Sequence, residues 1–144
     1  MAPRDKAFAT AAAVLVLGGV TLGFYELGGR PRQRDLRADE VRLGNLKSIA
    51  GEIHVEWENA QTKNLDWKPP AALKEIAFSS RNTSIADPIT GIPYDYVPQS
   101  GSGYELCAVF AADSAAQDLP LTDKGWSYPK GRHCFALDAS KSPY

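Results

Sequence analysis

Three features of this 144-residue sequence predict an α+β fold, with a single N-terminal transmembrane helix and then a long amphipathic helix packed on a small antiparallel sheet. The first is the apolar run from Ala7 to Leu27, whose one carboxylate, Glu26, stands beside its end. The second is a set of apolar residues three and four apart between Arg34 and Asn64. The third is a group of short alternating segments near the C-terminus, separated by Gly and Pro turns. Helices first and strands afterwards point to α+β rather than to a parallel sheet. Residues 1–29 are expected to form a polar tail and anchor, and residues 30–144 a soluble α+β domain.

As a helix, Ala7 to Leu27 reaches roughly 30 Å, about the thickness of a bilayer's hydrocarbon core. Apolar on every side, it has no single face to bury on a small domain, whereas lipid accepts such a helix with its backbone bonds closed. Phe24 and Tyr25 stand near its end, where aromatic rings favour the interface. A cleaved signal peptide is the alternative, but Thr21 and Gly23, or Leu27 and Gly29, match a small-residue cleavage site poorly. Gly19 and Gly23 form a G-x-x-x-G, and Ala7 and Ala11 repeat the spacing. Such a face lets another membrane helix approach closely, although Gly and Ala are frequent enough here for the spacing to arise by chance.

Gly28-Gly29-Arg30-Pro31 is expected to break or kink the chain. Beyond it, Leu36, Leu43, Leu46, Ala50, Ile53, Trp57 and Ala60 trace one apolar stripe of a helix that Lys68-Pro69-Pro70 ends. Gly44 and Gly51 each cost about 1 kcal/mol against Ala in such a helix, and they share a side where something packs closely. Ala71 to Ala77 makes a short helical turn, and Asp87-Pro88-Ile89-Thr90-Gly91 is turn chemistry. Strands follow at Tyr94–Val97, Tyr104–Ala111 and His133–Leu137. In the second, Tyr104, Leu106, Ala108 and Phe110 share one face, with Glu105, Cys107 and Val109 on the other.

Cys107 and Cys134 fit no zinc-finger, haem or C-x-x-C spacing. Facing strands would join them in a disulfide contributing roughly 3 kcal/mol; the alternative is two free buried thiols. A disulfide implies an oxidising compartment. Against it, Arg30, Arg32, Arg34 and Arg37 after the run outnumber Arg4 and Lys6 before it, which favours a cytoplasmic C-terminal domain. His133 with the two cysteines would supply three soft metal ligands, but no fourth is identifiable. Asp87 and Asp95 lack the acidic spacing of a calcium loop. No nucleophile, phosphate-loop, zinc-protease or dinucleotide motif is present, so no catalytic residue, enzyme activity or cofactor is expected. A net charge of -1 gives no electrostatic case for nucleic acid.

The order of elements resembles type IV pilins and type II secretion pseudopilins. RADEVRLGNLKSIAGEIHVEWEN resembles their post-membrane helix, PPAALKEI followed by DPITGIPYDYV resembles a loop and turn of major pseudopilins, and YELCAVF with GRHCF resembles Cys-bearing strands of pilin-like proteins. The Gly and Phe-Thr-Leu-x-Glu of the prepilin peptidase signature are missing before Ala7. The resemblance implies a pilin-like shape. The disulfide, set against the charge rule, gives the expected location: a single-pass protein of the bacterial inner membrane with its C-terminal domain in the periplasm. Three functions are compatible with these features. The chain is expected to be a non-catalytic accessory or scaffold subunit of a respiratory, photosynthetic or secretion complex, its partners being the lipid bilayer and other membrane subunits. The alternatives are a pilin-like filament or secretion subunit, and a periplasmic module binding a ligand or metal.

Overall fold

A computed structural model describes residues 3–26, 30–76, 78, 83–117 and 125–144. Its elements run α1 (Pro3–Glu26), α2 (Arg30–Thr62), β1 (Asp95–Pro98), β2 (Gly103–Phe110) and β3 (Gly131–Asp138). The three strands form an antiparallel sheet in the order β1-β2-β3. The chain divides into two compact units, Met1–Arg34 and Asp35–Tyr144.

In the first unit, α1 carries Val14, Leu15, Val16, Leu17, Val20, Leu22, Phe24 and Tyr25 with half or more of each surface exposed. The expected transmembrane helix is not supported: among the described residues, no helix is long and apolar enough to cross a membrane. α1 opens on Arg4, Asp5 and Lys6. Its other end carries Glu26, so charge flanks the apolar run on both sides. The single-pass inner-membrane location loses its basis with it. Leu27, Gly28 and Gly29 lie outside the described residues.

In the second unit, the apolar stripe of α2 closes one side of the core. Leu43, Leu46, Ile49, Ala50 and Ile53 join Tyr104, Leu106, Ala108, Phe110 and Phe135 of the sheet in one buried cluster, with Trp57 partly buried against it. The alternation on β2 puts Tyr104, Leu106, Ala108 and Phe110 inward, as a pleated strand requires. Phe110 stacks on Tyr128 with centroids 3.7 Å apart and meets Phe135 edge-on at 6.3 Å.

α2 begins at Arg30, with Pro31 in the first turn where its missing N–H costs nothing. It ends earlier than Lys68-Pro69-Pro70 suggests. Asn64 adopts a left-handed φ of 52°, the Leu65 N–H reaches back to the Ala60 carbonyl, and the Asn64 N–H reaches Gln61. That is a Schellman ending, with Asn in place of the usual Gly. Ser100-Gly101 turns β1 into β2, Gly101 taking φ 72°.

Candidate functional site

Register decides which side chains share the outer face of the sheet. Asp95 pairs with Cys107, and Cys107 with Cys134, so β1, β2 and β3 present these residues together on the face opposite the aromatic core. Cys107 and Cys134 are joined in a disulfide between directly opposed strand positions, with Cα atoms 4.0 Å apart. Glu105, two residues before Cys107 on the same face, brings a carboxylate oxygen within 4.8 Å of both sulfur atoms. Gln99 holds that carboxylate by donating an Nε2 hydrogen bond of 2.8 Å to Oε1. On the other side of Cys107, Arg132 of β3 reaches across β2 to Asp95 of β1, donating from Nη2 at 3.0 Å and Nε at 3.2 Å.

Next to this face opens a cleft of about 280 Å³ whose walls include Arg42, Asp87, Tyr94, Cys107 and Arg132. Its inner end is a cluster of charges on the buried side of α2. Arg42 donates from Nη1 to Asp39 Oδ1 at 2.7 Å and from Nη2 to Asp87 Oδ1 at 3.2 Å, and its Nε bonds Asp87 Oδ2. Asp39 is fully buried and also accepts the N–H groups of Ala111 and Ala112 at 3.0 Å, so it ties α2 to the end of β2. Burial pushes the Asp87 carboxyl up. The hydrogen bonds from Arg42 and from the Thr90 and Ile89 N–H groups outweigh it and hold the carboxyl at about 2. The hydrogen bond that Arg42 donates to Asp87 raises Arg42 above its ordinary value against burial. Asn45 Nδ2 donates to the Tyr94 hydroxyl at 3.0 Å, and burial raises that phenol.

Chemically, the cluster is closed on itself. Each Arg42 nitrogen has a carboxylate partner, which makes it a structural clamp rather than an anion site. A second cleft, of about 380 Å³, runs along the 3-10 turn Leu73–Glu75 and Tyr94 and Tyr96. The Tyr96 hydroxyl is buried without a hydrogen-bond partner among the described residues, and burial pushes it up to about 12.

No family model, no curated protein and no solved structure matches the chain.

The other residues singled out from the sequence fall in different places. Leu43, Leu46, Ala50 and Ile53 are buried, while Leu36 and Trp57 are half-buried. At Gly19 and Gly23 an added methyl group would meet nothing within 4 Å, so no described residue packs on that spacing. His133 does not join the sulfurs. It pairs with Ala108 on the core-side face, and its ring meets Phe135 edge-on at 4.7 Å. Asp87 and Asp95 do not converge on a cation either, since Arg42 and Arg132 neutralise them separately. Sequence reasoning missed Asp39 and Arg42, and it placed Glu105 on the face of Cys107 without giving it a role. The signal for the first two was a carboxylate three residues after Leu36, on the apolar stripe itself. For Glu105 it was the i−2 position, which shares a face with Cys107 on any strand.

Proposed function

We propose that this chain is a non-catalytic accessory subunit of a larger protein assembly, docking through α1. One observation carries the reading: eight large apolar side chains on α1, disposed around the helix, are at least half exposed. The other unit, by contrast, closes its own aromatic and aliphatic core. Isolated apolar residues on a surface are ordinary, but a contiguous apolar helix surface marks an interaction site. The charge clamp binds its own partners, so it contributes rigidity to the assembly rather than chemistry.

The test is non-denaturing extraction of the full chain, followed by identification and stoichiometry of what accompanies it. Partners in fixed ratio are expected, and the double substitution Leu15→Ser, Leu22→Ser on α1 should release them. A chain that runs as a lone monomer defeats the reading. A second reading, a pilin-like filament or secretion subunit, is favoured by the order of an apolar helix, an amphipathic helix and an antiparallel sheet. In that case the accompanying chains are copies of the protein itself, and electron microscopy shows filaments.

A further inference from the structure

We propose that Glu105, Cys107 and Cys134 form a zinc site that opens when the disulfide is reduced. The three side chains share the outer face of the sheet, and their ligating atoms lie within 4.8 Å of one another. Opposed positions on neighbouring antiparallel strands keep the two sulfurs together after the S–S bond breaks, because β2 and β3 are paired along their whole lengths. Two thiolates and one carboxylate are ligands zinc accepts, at about 2.3 Å to sulfur and about 2.0–2.2 Å to oxygen. A three-ligand set leaves the fourth tetrahedral position to water.

Two neighbours prepare the site. Gln99 donates to Glu105 Oε1 at 2.8 Å, the kind of outer hydrogen bond that orients a ligating carboxylate. Arg132 lines the same cleft as Cys107 and, by pairing with Asp95, offsets the carboxylate charge that stands opposite that thiol on the sheet. Cys107 is buried and Cys134 half-buried, so Cys134 offers the more open sulfur to an attacking reductant.

The chemistry balances with a dithiol as reductant. Its thiolate attacks Cys134 Sγ and breaks the S–S bond, releasing Cys107 as thiolate. The second thiol of the reductant then closes on the mixed disulfide, so the reductant leaves as a cyclic disulfide and the protein keeps two thiols. Binding one Zn²⁺ displaces one proton from each thiol, and Glu105 ligates through a carboxylate oxygen. A small-molecule disulfide reverses the sequence: it takes two electrons from the two thiolates and two protons from solvent and leaves as thiols, while the protein S–S bond forms and the metal is released. The site is therefore exclusive, holding either a disulfide or a metal.

The experiment uses the full chain, reduced with a dithiol, freed of it under anaerobic conditions and titrated with Zn²⁺ and with Co²⁺ as a spectroscopic stand-in. One equivalent should bind, with thiolate-to-cobalt charge-transfer absorption in the near ultraviolet, and the oxidised chain should bind none. Glu105→Gln keeps both sulfurs and should weaken zinc at least ~10-fold, whereas the exposed Glu40→Gln should not. Circular dichroism follows the fold throughout. If reduction alone loosens the second unit, stoichiometric zinc should restore it. Absence of zinc uptake by the reduced chain, folded or not, overturns the site, as does equal affinity in the Glu105→Gln variant or equal uptake by the oxidised chain.

Discussion

Arg42 stands between two carboxylates, one of them fully buried, and that placement decides what its removal does. A buried ion pair adds little over an apolar replacement of the whole set, but deleting one partner strands the other without compensation. Arg42→Met should therefore lower unfolding free energy by about 3–5 kcal/mol, read as a fall in the urea midpoint with little change in slope. A loss below about 1 kcal/mol would mean that solvent screens the cluster despite its burial. The same chemistry sets the acid limb. Asp87 is held at about 2 as described, and Asp138 is held at about 2 by hydrogen bonds from Ser102 and from the Ser140 N–H and hydroxyl. A carboxyl whose folded value lies below its unfolded one stabilises the fold above the unfolded value, about 4, and loses that stabilisation as pH falls toward the folded one. Stability should thus drop between about pH 4 and pH 2, and the Asp87→Asn, Asp138→Asn double variant should show a flatter drop. An unchanged slope in that variant assigns the acid limb to other carboxyls.

At the scale of one element, α2 offers a controlled comparison at its two interior glycines. A methyl group at Gly44 would meet nothing within 4 Å, whereas one at Gly51 would lie 2.8 Å from the Tyr144 hydroxyl oxygen. Gly44→Ala should gain about 0.5–1 kcal/mol from the lower backbone entropy of the unfolded chain. Gly51→Ala should gain less, because the Tyr144 ring, whose hydroxyl donates to the Lys47 carbonyl at 3.4 Å, must move aside. Urea unfolding of both variants tests the order, and a larger gain at Gly51 than at Gly44 contradicts it. The shared helix side of these glycines was visible in the sequence. That only Gly51 meets a close neighbour was not, because the neighbour arrives from the far end of the chain. The pattern holds more widely. Period-two alternation placed Tyr104, Leu106, Ala108 and Phe110 on one face, since local pleating alone dictates it. The Asp39–Arg42–Asp87 clamp escaped because a residue 45 positions away supplies its third member, and charges within an apolar stripe read locally as solvent-facing. The role of Glu105 escaped for a related reason: it depends on which strand lies opposite. The apolar run of α1 read as a bilayer span, whereas among the described residues no helix is long and apolar enough to cross a membrane.

For the whole molecule, the question is what an exposed apolar helix does in water. Burying a Val, Leu or Phe side chain fully is worth about 1.5–3 kcal/mol, so covering the eight large side chains of α1 would release roughly 10–20 kcal/mol before costs. Association costs an estimated 4–15 kcal/mol in lost freedom, so the balance favours a covered α1. Removal of the first unit should therefore abolish association without harming the second, whose described buried core lies at Ala38 and beyond. A chain beginning at Asp35 should keep the circular dichroism expected of α2 and the sheet, unfold in one cooperative step, and sediment as a monomer at micromolar concentration. The full chain under the same conditions should sediment as a larger species or in complex with a partner. Should the full chain remain monomeric without partner or additive, the exposed surface of α1 would have to be tolerated by water at a cost no compact fold here offsets. The docking role assigned to it would then be withdrawn, while the separate stability of residues 35–144 would still stand on its own measurement.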